Sequence, residues 1–356
     1  MLRQGPPGTG ASVEQSAGSA PGRAAPPARR AIRAGSRAHI MSGVQFDAGA
    51  QEHLPFVLGI VGDSGSGKHT VAAGVGALLG PDRVSTLELD DYHRYTRAER
   101  AELGLTSLNP AVHNLSLMQE HLQLFRRGRP VRMRRYDHSD GTFGPIRTVE
   151  PNEVVIARGL LGFPSDDLRS AYDLAVFLQP EPELLFRWKL RRDVKTRGYT
   201  EAQVLKYIAQ HLLDSKQYIL PQAERADLVV CYEIPEWDAP DSEVRATLTL
   251  RRGAAEAVRS NGICERFGGQ VCSDEEGEGV LVVRVPHDLP PEAVDDWAAE
   301  RFPDTFEPGE TGRFMLDDGS EGRLVPLAFT QVLIADLTQK LRRRADLPPE
   351  AVAAAV

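Results

Sequence analysis

The stretch Gly62-Asp63-Ser64-Gly65-Ser66-Gly67-Lys68-His69-Thr70 decides how the rest of the chain is read. An apolar run at residues 56–61 precedes it, and a helix-type segment at 71–79 follows. Strand, glycine-rich turn, lysine and helix make the layout of a phosphate-binding P-loop, G-x-x-x-x-G-K-[ST]. Glycines let the backbone close around a phosphate, so that several N–H groups and the positive end of the helix face one anion. Lys68 would reach the outer phosphates as a point charge. One position departs from the pattern. The hydroxyl that should follow the lysine and ligate Mg²⁺ is His69, with Thr70 one residue further on. The loop is expected to grip a polyphosphate such as ATP, while its hold on a metal is the open point.

Outward from this loop, short β-type runs alternate with helical stretches, the mark of a parallel α/β sheet. Strands are expected at 56–61, 84–89, 154–157, 174–178 and 228–232, and helices at 71–79, 115–127, 182–195 and 200–218. In an open parallel sheet, ligands sit beyond the carboxyl ends of the strands. That rule gathers the P-loop, Asp90-Asp91-Tyr92-His93, Arg158-Gly159-Leu160 and the tail of the strand near Leu178 around one cleft. The fold class is therefore α/β, a P-loop NTPase-type mostly parallel sheet flanked by helices. Residues 50–235 form the expected kinase domain. Residues 236–350 form a smaller α+β region packed on it or extending it, with strands at 244–250 and 280–285, a helix at 291–301 and an amphipathic stretch at 324–344.

Composition narrows the function. The 356 residues carry a net charge of −8, which gives no reason to expect binding to a nucleic acid polymer. No apolar run approaches the ~20 residues that span a membrane. Cys231, Cys264 and Cys272 have no C-x-x-C spacing; read as free thiols, they suit a reducing compartment, and a cytoplasmic protein is the expectation. Residues 1–40 hold six arginines and one acid, Glu14, and are too poor in apolar surface to offset ordering entropy, so a disordered basic extension is expected. Its bias superficially matches an organelle transit peptide, but a start codon placed too early, with Met41 the natural start, is the preferred reading.

Three further segments bear chemistry. Adjacent side chains on a strand point to opposite faces, so one of Asp90 and Asp91 can face the cleft while the other supports a loop. A carboxylate beside a γ-phosphate can accept the proton of an attacking hydroxyl. Taken alone, a turn acid is the commoner explanation. Arg187 to Arg197 is a dense basic helix in which Lys189, Arg192, Asp193 and Arg197 share or neighbour one face. Cations so gathered suit a sugar phosphate and a nucleotide phosphate in one cleft, and a solvated basic face explains them equally well in isolation. Tyr136-Asp137-His138, after a strand-like 131–135, can reach the same mouth.

In this order and spacing, the P-loop, L-D-D-Y-H, Y-D-H-S, W-K-x-x-R-D-x-x-x-R-G-Y-T, P-Q-x-x-x-A-D-L-V-V and the tail motif P-L-A-F-T-Q at 326–331 resemble the phosphoribulokinase family, within the uridine-kinase-like P-loop kinases. The resemblance covers about residues 55–345. It implies ATP-dependent phosphorylation of the 1-hydroxyl of ribulose 5-phosphate, with ATP and Mg²⁺ as cofactors and a homo-oligomer as the expected assembly. It implies Asp90 as catalytic base, Lys68, Lys189 and Asp193 as further catalytic residues, and His93, Arg97, Tyr136, His138, Arg192 and Arg197 as substrate contacts. Where plant-type members carry a regulatory cysteine this chain has Ser66, which excludes thiol switching there.

Two departures fall on one function. His69 replaces the P-loop hydroxyl, and Arg158 stands where the family's E-G-L motif has its metal-linked glutamate. One lost ligand is tolerable, because Mg²⁺ keeps several waters. Two losses with an added positive charge disfavour the usual Mg–ATP arrangement. Three readings stay open: a working kinase whose metal is held by phosphates, Thr70 or Asp193; an altered kinase in which Arg158 supplies part of the metal's charge; or a weakly catalytic nucleotide or sugar-phosphate binder with a regulatory role. A uridine kinase-like small-molecule kinase is the runner-up substrate reading.

Overall fold

Strand β1 (Phe56–Gly62) is buried along its whole length, as a continuous apolar run must be at the centre of a sheet covered on both faces. Around it lie β2 (Val84–Glu88), β5 (Val154–Gly159), β6 (Leu174–Leu178) and β7 (Leu228–Glu233). These pair in parallel in the order β2-β5-β1-β6-β7. A separate antiparallel hairpin, β3 (Val131–Asp137) and β4 (Thr142–Val149), stands apart from this sheet. The computed structural model describes residues 54–267, 272–275, 279–316 and 320–345. The extension expected at residues 1–40 lies outside the described residues.

Helices α1 (Lys68–Leu79), α2 (Arg97–Glu102), α3 (Leu115–Phe125), α4 (Asp166–Arg169), α5 (Pro182–Lys195) and α6 (Glu201–Asp214) connect these strands. The sheet does not stop at residue 235. Strands β8 (Arg245–Leu250), β9 (Cys272–Glu275) and β10 (Val280–Val285) continue it antiparallel in the order β7-β8-β10-β9, giving eight strands among the described residues. Helices α7 (Arg252–Arg259), α8 (Ile263–Phe267), α9 (Pro291–Arg301) and α10 (Val325–Ala345) accompany them, with a short hairpin of β11 (Arg313–Met315) and β12 (Glu321–Arg323). The architecture is the α/β, mostly parallel sheet that the sequence pattern predicts.

Alternation along β1 builds two cores. Leu58 and Ile60 pack with Val71, Val75 and Leu78 of α1, Trp297 of α9 and Phe329 of α10. Val57 and Val61 pack on the other face with Met118, Leu122 and Phe125 of α3. The C-terminal helix is also tied to the P-loop helix by hydrogen bonds. Buried Gln331 donates from Nε2 to the Thr70 carbonyl at 2.9 Å and accepts the Gly312 N–H at 2.7 Å. A Cβ at Gly74 would meet the Gln331 amide and push it from these two hydrogen bonds.

Two expectations are corrected. Asp90 and Asp91 lie not on a strand but in a 3₁₀ turn, Leu89–Tyr92, that follows β2. The three cysteines are not all thiols: Cys231 is free, whereas Cys264 is disulfide-bonded. Among the described residues no helix is long and apolar enough to cross a membrane.

Candidate active site

The P-loop leaves β1 at Gly62, where a Cβ would strike the Leu178 carbonyl and the Ser66 hydroxyl. Gly65 and Gly67 hold φ of 94° and 88°, which side-chain-bearing residues rarely adopt, and Gly67 caps α1. Ser64, Gly65, Gly67, Lys68, His69 and Thr70 line a cleft of about 920 Å³. Asp63 and Ser66 are buried. Asp63 accepts the Ser215 hydroxyl with Oδ2 and the Ser64 N–H with Oδ1, which fixes the tip of the loop to the turn after α6. The Lys68 ammonium donates back to the Gly62 and Asp63 carbonyls at 2.9 and 2.6 Å. Burial lowers its pKa to about 8, against the raising influence of Asp63 and Asp90. A phosphate arriving at the loop would give that ammonium a stronger acceptor than the two carbonyls.

The turn after β2 sorts its two aspartates. Asp91 is buried and occupied: Oδ1 accepts the Tyr136 N–H at 2.7 Å and Oδ2 accepts Arg147 at 3.1 Å, so it anchors the β3–β4 hairpin. Asp90 lines the cleft, with Oδ2 3.3 Å from His138 Nε2 and Oδ1 buried without a hydrogen-bond partner. Burial alone would raise its pKa, but the His138 hydrogen bond and the imidazoles of His93, His138 and His113 hold it well below the carboxylate range. His93 bonds the Asp90 carbonyl through Nδ1 at 2.7 Å and stacks on Tyr136 at 4.7 Å, leaving Nε2 buried and unpartnered at the cleft. Burial pushes its pKa down to about 3, so it is a neutral imidazole. Arg97 reaches the turn of the hairpin, donating to the His138 carbonyl at 2.5 Å, and lines the cleft beside it.

The far wall is α5 with the residues after it. Lys189 is buried against Gly65, and burial lowers its pKa. Arg192 donates to Ser64 Oγ at 3.0 Å and to Asp193 Oδ1 at 2.9 Å, and Arg197 lies 3.3 Å from the same oxygen. Asp193 thus gathers the two arginines. Trp188, Tyr232, Phe314, Leu324 and Leu327 add an apolar part to the cleft lining. A polyphosphate loop, an ionised carboxylate, three cations from one helix region and an apolar part therefore share one cavity.

The family model described as "Phosphoribulokinase / Uridine kinase family" matches residues 57–236, from β1 to just beyond β7. The chain belongs to this family. Phosphoribulokinase from Synechocystis is 34% identical over 174 residues, which is 49% of this chain and 52% of that one, so about half of each is matched. The chloroplastic phosphoribulokinase of Triticum aestivum is 24% identical over 345 residues, 89% of this chain and 82% of that one. A uridine kinase of Deinococcus deserti is 29% identical over 201 residues, 54% of this chain and 97% of that one. Among solved structures, phosphoribulokinase from Rhodobacter spheroides shares the fold, with a TM-score of 0.52 at 18% identity, covering 68% of this chain and 94% of that chain.

The corner nearest His69 is built on an ion pair between neighbouring strands. Arg158 does not project a free charge at the phosphates: its Nε donates to Glu88 Oε1 at 2.7 Å and its Nη2 to the same oxygen. Glu88 and Arg158 are register partners on β2 and β5. His69 is held to a pKa of about 4 by lost hydration and by the Arg158 charge, and stands neutral. Mg²⁺ wants oxygen ligands; here an imidazole, a paired guanidinium and an aspartate committed to two arginines take the relevant places. Among the described residues no three His, Cys, Asp or Glu side chains converge as a metal cage. The side chains at positions 69 and 158 therefore offer Mg²⁺ no oxygen, and the carboxylate oxygens at this corner are Glu88 Oε2 and those of Asp90.

Sequence reasoning missed Glu88 and Arg100. Arg100 is buried at the cleft wall, donating to Tyr136 Oη at 2.7 Å and the Tyr95 carbonyl at 2.8 Å. Its H-x-x-x-R-x-x-R spacing from His93 was the available signal. Glu88 had none, because its partner lies 70 residues away.

Proposed function

We propose that the chain is an ATP-dependent sugar-phosphate kinase that phosphorylates the 1-hydroxyl of ribulose 5-phosphate, giving ribulose 1,5-bisphosphate and ADP. The observation that carries this reading is the Asp90 carboxylate facing the same cleft as Lys68, Lys189, Arg192 and Arg197. The neutral body of a nucleoside would leave most of those cations uncompensated, whereas ATP and a sugar phosphate together supply the matching anions. The similarity to chloroplastic phosphoribulokinase over 89% of the chain, tail included, adds support, since the uridine kinase match covers 54%.

In this mechanism the P-loop N–H groups would hold the ATP phosphates, and the apolar part of the cleft lining, Trp188 included, would be available to its base. Lys68 turns from the loop carbonyls to the phosphates. His93 Nε2, Arg97 and Arg100 stand where a sugar phosphate would enter. The 1-hydroxyl oxygen attacks the γ-phosphorus, the bond from that phosphorus to the bridging oxygen breaks, and the hydroxyl proton passes to Asp90. Asp90 is a weak base, so its contribution is to orient the hydroxyl and accept the proton late, which suits a loose phosphoryl transition state. Lys189, Arg192 and Arg197 offset the charge on the transferring group.

The Glu88–Arg158 pair favours a second reading, a slow kinase or a nucleotide and sugar-phosphate binder with a regulatory role. One coupled ADP-release assay across ribulose 5-phosphate, uridine and pantothenate separates these. Turnover with ribulose 5-phosphate alone is expected; turnover with uridine alone overturns the substrate assignment, and none with any acceptor leaves the binder. Calorimetry should show ATP binding, and its absence at millimolar ATP removes the nucleotide reading.

A further inference from the structure

The stretch Arg126-Arg127-Gly128-Arg129-Pro130-Val131-Arg132-Met133-Arg134-Arg135 holds six arginines and no acid, in a chain whose net charge is −8. Arg126 is paired with Asp173. Arg127, Arg129, Arg132, Arg134 and Arg135 are exposed, and among the described residues none of them makes an ion pair or a side-chain hydrogen bond. Elsewhere the chain spends arginines on carboxylates: Arg83, Arg158, Arg169, Arg225 and Arg323 each hold one. The next acid along the chain, Asp137, gives its Oδ1 to the Ser139 N–H and hydroxyl.

Strand register turns these charges into a stripe. Along β3, buried Val131 and Met133 alternate with exposed Arg132 and Arg134. A bulge between Arg134 and Tyr136 then inserts Arg135, which is exposed too, while Tyr136 still faces inward. Opposite Arg132 and Arg134 on β4 stand Thr148 and Ile146, both exposed and neither acidic. Side chains two residues apart on a strand lie about 7 Å apart, which is also the repeat of alternate side chains in an extended peptide. β3 and β4 form a two-stranded sheet of their own, so each has one edge with no strand neighbour among the described residues. The outer face offers no aromatic ring on which a nucleobase would stack, which favours a polypeptide over a single-stranded nucleic acid.

We propose that the outer face of the β3–β4 hairpin docks an extended acidic segment of a partner polypeptide, with carboxylates at alternate positions meeting Arg132 and Arg134. Guanidinium forks match carboxylates in bidentate pairs, and a free strand edge accepts an extended chain through its backbone. Arg127, Arg129 and Arg135 lengthen the basic track on either side. The same strand brings Tyr136, and just beyond it His138, to the cleft, so docking bears on the element that positions the neighbours of Asp90.

The test uses the full chain and the fluorescence anisotropy of a short labelled peptide that alternates threonine and glutamate. An isomeric peptide with its glutamates in one block and a labelled oligouridylate are the comparison probes. The alternating peptide is expected to bind at low salt and to weaken as salt rises. Arg132→Gln together with Arg134→Gln, both at exposed positions, should weaken it by about fivefold or more. Arg343→Gln, an exposed arginine on α10, should leave it unchanged. The block isomer should bind about threefold or more weakly, because its carboxylates miss the alternate spacing. Equal binding by the double variant, or equal binding of the block isomer, overturns the stripe. Tighter binding of oligouridylate than of the peptide overturns the polypeptide assignment. No peptide binding at low salt leaves the arginines as charges that keep a strand edge from pairing, and the proposal fails.

Discussion

Arg158 is the residue whose charge most needs accounting for, and a double-mutant cycle with Glu88 does so. The perturbations are Arg158→Met, Glu88→Gln and the pair together, in metal-free buffer. The side chains are 18% and 27% exposed, and the guanidinium puts two N–H groups on one carboxylate oxygen. At an effective dielectric of about 20, such charges attract by about 4 kcal/mol. Desolvation of both partners cancels much of this, and a hydrogen bond to a charged group nets about 1.5–3 kcal/mol. Each single change should therefore cost about 2 kcal/mol, with the double change costing about 1.5 kcal/mol less than their sum. Urea unfolding at constant m-value measures all four corners of the cycle. Because the charge is spent within the sheet, Arg158→Met should also leave ATP affinity within about threefold of wild type, whereas Lys68→Met should weaken it by more than tenfold, a loss of about 1.4 kcal/mol or more. Costs that add to within about 0.3 kcal/mol would refute the pairing. A large loss of ATP affinity in Arg158→Met would place the guanidinium on the phosphates instead.

Asp90→Asn should retain ATP binding by calorimetry and lower phosphoryl transfer by about 10²–10⁴-fold, the usual worth of a positioned base; a loss of less than tenfold would remove Asp90 from that role. Gln331→Ala leaves the Gly312 N–H and the Thr70 carbonyl without their shared partner, at a cost of about 1–3 kcal/mol. Its unfolding midpoint in urea should fall accordingly, and an unchanged midpoint would show that α10 does not brace the P-loop helix. Stability should also depend on pH. Burial lowers the pKa of His93 to about 3 from 6.5, and that of His113 and His121 in the same direction. The unfolded chain then binds protons below pH 6.5 that the folded chain refuses, so stability is full above about 6.5 and falls as the pH drops toward 3. Thermal midpoints at pH 7.5 and pH 5 check this; equal values would contradict the buried neutral imidazoles.

The P-loop, the strand that leads into it and the alternation of strands with helices were legible in the sequence because their causes are local. Glycine spacing sets the turn, period and burial set the strand, and a lysine at a helix start sets the anion site. The basic face of α5 was legible for the same reason, since i, i+3 and i+4 spacing alone brings Lys189, Arg192, Asp193 and Arg197 together. What those groups do with their charge was not local. Asp91 became the anchor, and Asp90 the cleft carboxylate, because the Tyr136 N–H and Arg147, 45 and 56 residues away, fill one aspartate and not the other. Arg158 read as an added positive charge until the strand register placed Glu88 beside it. The tail read as a region either packed on the kinase domain or extending it, and the β8–β7 pairing and the Gln331 bond to Thr70 show both. A sequence fixes which side chains are present and which share an element's face; a charge's partner depends on which element the fold lays alongside, and only the tertiary structure decided that.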